Sequence, residues 1–157
     1  MKSKPLISND LLEFIESGLS ITVATRDGEL QPNGAMAWAA QVDPDRAHLT
    51  VFLYEKAAES VLRELESHPE IAVLFEKPSN HHGCQIKGIF ESTRAGRPAE
   101  RAIVERQRAG FFADLDGLGI PSAMYAGWKF WPCRALYLRA TQFFEQTPGP
   151  GAGEPLR

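Results

Sequence analysis

His68-Pro-Glu-Ile-Ala-Val-Leu-Phe75, followed after a polar loop by Gln85-Ile-Lys-Gly88, decides how this chain is read. The His-Pro step closes a helical pattern, because proline cannot continue a helix, and the apolar run behind it has strand length. Upstream, Ala57–Ser67 carries Ala58, Val61, Leu62 and Leu65 on one stripe and Glu59, Arg63, Glu64 and Glu66 on the other, the period of an amphipathic helix. His48–Tyr54 is rich in β-formers. Leu19–Arg26 alternates, with Ile21 and Val23 on one side and Thr22 and Ala24 on the other. Between them Glu29–Val42 reads as a strand in which Pro32 implies an edge or a bulge, since proline donates nothing to a ladder. Asp27-Gly28 is a two-residue hairpin signal of type I′, and Asp43-Pro-Asp45 is a second turn. Three meandering strands, a helix and two more strands predict a β-barrel with a groove along its side.

Toward the N-terminus, Ser8 or Asn9 can cap a short helix carrying Leu11, Leu12 and Ile15, which Gly18 stops. Glu70–Phe75 reads as a strand buried on both faces, and Cys84–Glu91 as a fifth strand after the loop Lys77–Gly83. Arg94–Arg97 is a connector. Pro98 suits the first turn of a second long helix, with Ala102, Ile103, Gln107 and Phe111, which ends over Asp114–Gly119. Ile120–Pro132 is irregular and aromatic, and Ala135–Glu145 is a last strand. The chain therefore reads as one domain over 1–146 and a flexible Pro/Gly-rich tail over 147–157.

The bulk numbers bound the function. With 157 residues, 43% of them hydrophobic, one domain has a full core. A net charge of −3 and a pI near 5.8 exclude a global basic field, so no nucleic-acid partner is expected. No apolar run approaches the roughly 20 residues of a membrane helix. Met1-Lys-Ser-Lys-Pro5 is followed by no apolar stretch of signal-peptide kind. Cys84 and Cys133 are expected to stay reduced, and the expectation is a soluble cytoplasmic protein.

Three features carry candidate chemistry. Ala35, Ala37 and Ala39 alternate with Gly34, Met36, Trp38 and Ala40, so one face of the second strand is nearly bare. Either a flat cofactor approaches that backbone or the second helix packs on it. On the fifth strand Gln85, Lys87 and Ile89 share a face opposite Ile86, Gly88 and Phe90. A glutamine beside a lysine on an inner barrel edge suits a carbonyl-rich ring and a negative charge; the alternative is an ordinary solvated face. Trp128, Phe130 and Trp131 with Tyr125 close a core or a subunit interface, or form a lid over a cofactor. His81, His82 and Cys84 lack a fourth partner at zinc-site spacing, so no metal is expected. The arginines at or near the second helix, among them Arg94 and Arg108, read as a solvated face. No nucleophile elbow, P-loop or dinucleotide fingerprint is present.

Taken together, Ala24-Thr-Arg-Asp-Gly28 with Pro32, Leu49-Thr-Val-Phe-Leu-Tyr54, Arg63-Glu-Leu-Glu-Ser-His-Pro69, Ile71-Ala-Val-Leu-Phe75 and Gln85-Ile-Lys-Gly88 resemble the pyridoxamine 5′-phosphate oxidase-like family of FMN-binding split barrels. The resemblance runs from about Leu12 to Glu145. It implies a mainly β, six-stranded split β-barrel with flanking helices, and a homodimer with two FMN sites at its interface. Gln85 falls on the family's flavin-contacting glutamine and Tyr54 on a contact position at the end of the third strand. The family's phosphate-gripping arginine and lysine of the second strand fall on Ala35 and Ala40. Its Ser-Arg-Lys falls on Glu59, Ser60 and Val61. The usual clamp is therefore absent, and Lys56, Ser60, Lys87 or an arginine of the second helix would replace it.

The cofactor-binding set is thus Tyr54, Lys56, Ser60, Gln85 and Lys87, with no catalytic residue named and no metal. The leading expectation is an FMN-binding flavin oxidoreductase acting on a small molecule. The alternatives are a non-enzymatic flavin, deazaflavin or haem-binding module, and a cofactor-free dimer whose pocket is filled by Met36, Trp38 and the aromatic cluster. A homodimer is also expected on physical grounds, because an edge strand of small residues and a clustered aromatic segment need covering.

Overall fold

The computed structural model describes residues 6–156, which form a closed six-stranded antiparallel barrel with three flanking α-helices. The elements run α1 (Asn9–Ile15), β1 (Ser20–Arg26), β2 (Pro32–Val42), β3 (His48–Tyr54), α2 (Glu55–Leu65), β4 (Glu70–Glu76), β5 (Gly83–Ala95), α3 (Arg101–Gly117) and β6 (Cys133–Glu145). Around the barrel the order is β1-β2-β3-β6-β5-β4, and β4 returns to β1. The last strand is inserted between β3 and β5. Ser8 caps α1 by accepting from the Leu11 amide at 3.2 Å. Tyr54, the last residue of β3, leads directly into α2.

Inward side chains of all six strands fill the interior, among them Val23, Leu49, Leu53, Val73, Ile86, Leu136 and Leu138. Ala58, Val61 and Leu65 of α2 join them, and Ile15 of α1 belongs to the same core. A second apolar cluster lies outside the barrel, where α3 packs on β2 through Trp38, Ala39, Val104, Phe111 and Leu115, joined by Phe52 of β3.

β2 departs from simple alternation. A bulge between Ala37 and Ala39 shifts its register on β3. Ala37 and Ala40 therefore both enter the barrel core, while Trp38 and Ala39 both face α3. The expected bare face of Ala35, Ala37 and Ala39 does not exist: the bulge splits it, and the second helix covers the outward part. The bulge lies away from Pro32, which is the first residue of the strand, and β2 is paired on both sides rather than an edge.

Where β1 has ended, the outward-turned backbone of Ala40 is left without a strand. The buried Gln107 side chain of α3 supplies the partner. Its Oε1 accepts from the Ala40 N–H at 2.9 Å and its Nε2 donates to the Ala40 carbonyl at 2.7 Å. Glu16 does the same for the Val42 N–H at 2.8 Å.

Three further expectations are corrected. The β1–β2 connection is longer than a two-residue turn: Leu30, not Gly28, takes the positive φ, and the Asp27 carboxylate accepts from the Glu29 and Gln31 amides at 2.8 and 2.9 Å. β4 is buried on one face only, with Ala72 and Leu74 half-buried outside. β5 continues to Ala95, through the span read as a connector, because β6 pairs with it beyond the end of β4. Residues 149–156 turn back onto β6, where Gly153 and Leu156 donate to the Glu145 and Phe143 carbonyls at 2.7 and 2.9 Å.

Candidate functional site

The candidate site lies on the outer face of β1, β4, β5 and β6. Strand register places side chains there in rows. One row is Thr22, Leu74, Gln85 and Phe144; the next is Ala24, Ala72, Lys87 and Gln142. The helices pack mainly on β1, β2 and β3, so the β4–β5 surface carries little helix cover. A shallow groove of about 350 Å³ lies over the second row, with Ala24 and Ala72 as its floor. Arg26 and Glu70 flank one end, and Lys87, Thr141 and Gln142 the other side. Small side chains at facing positions leave the backbone approachable by a flat ring, the property that the sequence had suggested for β2.

Gln85 and Lys87 do share one face, but it is the outside of the barrel, because Ile86 between them is fully buried in the core. Lys87 Nζ stands 5.0 Å from the centroid of the Phe144 ring, a cation–π contact that keeps the ammonium over the groove's β6 side. Arg26 is 3.5 Å from Glu70 in a solvated pair. A bulge between Lys87 and Gly88 brings β6 close: a Cβ at Gly88 would lie 2.5 Å from the Arg139 carbonyl oxygen, so only glycine fits there.

Tyr54, Lys56 and Ser60 stand elsewhere, where β3 hands over to α2. Tyr54 pairs with Cys133, whereas Gln85 pairs with Phe144. Those two points are separated by roughly 36 Å of β6 at ~3.3 Å per residue. Tyr54 packs against the second apolar cluster, Lys56 is exposed on the first turn of α2, and Ser60 is engaged. The Ser60 hydroxyl accepts from Asn33 Nδ2 at 3.0 Å, and the same amide reaches the Glu64 carboxylate at 3.3 Å. Thr25 donates to Glu64 as well. A carboxylate at the heart of this cluster repels a phosphate dianion, and Ala35 and Ala40 face the barrel interior. The clamp positions therefore do not fit a phosphate.

The aromatic segment packs beside α3. Arg108 of α3 occupies it, its guanidinium 4.3 Å from the Phe112 centroid, 4.6 Å from Phe130 and 5.5 Å from Trp38. Trp38 Nε1 donates to the Lys129 carbonyl at 2.9 Å and ties the segment down. Burial lowers the pKa of Arg108 from its ordinary value, opposed by the nearby Glu105 charge. This arginine is thus part of the packing rather than of a solvated face. In the 77–83 loop, His81 Nδ1 lies 3.1 Å from Glu76 and His82 Nδ1 lies 2.9 Å from Thr147 Oγ1. Among the described residues no cluster of three or more metal-ligating side chains is found.

Sequence reasoning missed Ala24, Ala72, Arg26 and Gln142. Their signal lay in the period-2 pattern of β1 and β4, but only the register shows that they meet Lys87.

No family model matches the chain, and no curated protein matches it in sequence. Solved structures match it in fold. A candidate pyridoxamine 5′-phosphate oxidase from Lactobacillus delbrueckii is 11% identical, with a TM-score of 0.57 over 91% of this chain and 97% of that one. An F420 reductase is 17% identical, with a TM-score of 0.53 over 83% and 93%. An FMN-binding protein from Syntrophomonas wolfei is 14% identical, with a TM-score of 0.52 over 86% and 85%. The chain has the split β-barrel fold that these proteins share.

Proposed function

We propose that the chain is a flavin-binding split-barrel protein that works as a small FMN-dependent oxidoreductase on a small molecule. The observation that carries this reading is the pairing of Gln85 and Lys87 on a sparsely covered outer face, beside a floor of Ala24 and Ala72. A planar ring lies against such a floor without clashing. The Gln85 amide both donates and accepts, which matches a ring edge that alternates carbonyl and N–H groups. Lys87 supplies positive charge to a reduced ring or to a phosphate. Arg26 is the second cation within reach of the groove. Its solvated pair with Glu70 holds it by about 1 kcal/mol at most, and turning toward an anion would also give up its bond to the Asp27 carbonyl at 3.2 Å. When bound, the flavin supplies the hydride chemistry, and the chain needs no general base of its own.

One protomer leaves the set incomplete, because Tyr54, Lys56 and Ser60 are on another part of the barrel. In this proposal a second copy of the chain brings Tyr54 and Lys56 beside Gln85 and Lys87, the phosphate is left to Lys87 and Arg26 rather than to Ser60, and the protein is a homodimer. Cys84 and Cys133 are free and buried, in keeping with a reducing cytoplasm.

The test is titration of the purified protein with FMN, riboflavin and a deazaflavin, read by quenching of flavin fluorescence and by the visible spectrum. FMN is expected to bind saturably. Lys87→Ala and Gln85→Ala are each expected to weaken it about tenfold, or ~1.4 kcal/mol. Flavin that neither binds nor loses fluorescence sinks the proposal. One observation favours a second reading, a binding module without turnover: the acidic Asn33–Ser60–Glu64 cluster stands where a phosphate clamp is expected. Saturable flavin binding with no catalysed turnover of NADH or NADPH against an added acceptor would select it.

A further inference from the structure

The opposite side of the β5–β6 pair holds a second cavity. Strand alternation sends Gln85 and Phe144 outward, and Cys84, Phe143 and Glu145 to the barrel mouth behind them. There a cavity of about 300 Å³ opens between α1, the start of β5, the end of β6 and the returning C-terminal segment. Its apolar lining comes from Leu6, Leu11, Phe14, Phe143 and Leu156. Leu6 is 61% exposed and Leu156 36% exposed, and both lie at its rim. Large aliphatic side chains held against water at one cavity mouth mark a surface awaiting an apolar ligand.

Two carboxylates, Asp10 and Glu145, are among its lining residues beside His82, and among the described residues no lysine or arginine lines it. The Glu145 carboxylate accepts from the Thr147 amide at 2.8 Å. Hydrogen bonds from Thr147, side chain and backbone, hold its pKa below the usual glutamate value, so it is a carboxylate at neutral pH. The His82 and Phe14 rings meet edge to face with their centroids 4.6 Å apart, and His82 Nδ1 is engaged by Thr147. The C-terminal segment is built to close this space. Glu145 and Leu156 are both in backbone hydrogen bonds that fold residues 149–156 against β6, and this brings Leu156 to the rim.

We infer that this cavity binds a small organic ammonium ion with an apolar body, its charge between Asp10 and Glu145 and its hydrocarbon against Phe14, Phe143 and Leu156. Size supports this class, since about 300 Å³ is the lower end of small-molecule sites. So does the charge of the described lining, where two carboxylates and no lysine or arginine disfavour an anionic ligand of the same shape. The inference is independent of the flavin reading, because the two sites lie on opposite faces of the same two strands.

The probe is 2-phenylethylammonium, with 3-phenylpropionate as its anionic counterpart, titrated calorimetrically into the full chain. Saturable binding of the ammonium and at least tenfold weaker binding of the carboxylate are expected. Asp10→Asn changes an exposed residue on α1, and Leu156→Ser removes the rim without touching the barrel core. Each is expected to weaken the ammonium about tenfold while leaving the thermal midpoint and FMN titration unchanged. No saturable binding at millimolar concentration, equal binding of the two probes, or binding indifferent to both substitutions overturns the inference.

Discussion

Gln107 is a side chain acting as a length of strand. Its amide satisfies both backbone groups of Ala40 in a position 1% exposed to solvent. Gln107→Ala leaves a buried donor and a buried acceptor unpaired, and a loss of about 2–4 kcal/mol is expected. The check is the urea midpoint, with Gln107→Glu as companion: it keeps the acceptor, loses the donor and is expected to be nearly as harmful. The sequence shows Gln107 on the apolar stripe of its helix but nothing of this role, because the partner is a backbone made available by a strand ending elsewhere. Gln85 and Lys87 were legible, since period-2 alternation over a short strand is local. The β2 alanines were misread for the complementary reason: one inserted residue at Ala37–Ala39 exchanges inside and outside downstream, and no residue type announces it. The cysteines carry a simpler prediction. Burial, then the Glu145 charge, pushes the Cys84 thiol up to about 12; burial, then the Glu100 charge, raises Cys133 to about 11. Thiol reagents at pH 8 are expected to label neither until the chain is unfolded, which a timed mass measurement reads.

Between elements, the joint from β5 to α3 rests on Glu100. Its carboxylate receives both Arg94 guanidinium nitrogens, at 2.6 and 2.8 Å, and the Arg97 amide at 2.8 Å. The Arg94 bonds hold its pKa below the usual glutamate value of 4.5. A carboxyl depressed in the folded state binds fewer protons than in the unfolded chain. Its stabilisation is therefore complete above 4.5 and disappears as the pH falls through the folded value. Glu100→Gln is expected to cost about 0.5–1 kcal/mol at pH 7, because Arg94 is partly solvated, and to flatten the acid limb of stability below pH 4.5. Chemical denaturation at a series of pH values measures both. Helices and strands were readable here because their apolar periods are strong. Their ends were less so, since β5 outruns its expected end only when β6 arrives beside it.

At the scale of the whole molecule, the physical motives for a dimer have changed. Among the described residues barrel closure leaves no strand edge to cover, and α3 of the same chain packs against part of the aromatic segment, with Trp128 still 43% exposed. What remains is the proposed division of the site, with Gln85 and Lys87 on one part of the surface and Tyr54, Lys56 and Ser60 on another. Light scattering is expected to give about twice 17.4 kDa. A monomer that nevertheless binds FMN would place the entire site on the β4–β5 face. The six-stranded architecture followed from the element order, whereas the pairing of β6 between β3 and β5 is a long-range choice that no local window contains.

That pairing governs how the chain can mature. Five strands can be synthesised and folded locally as far as Ala95, yet β3 and β5 keep open ladders until residues 133–145 have left the ribosome. A nascent or truncated chain without them exposes two sticky margins on one sheet and is expected to depend on chaperones, while release of the full chain seals both in a single event.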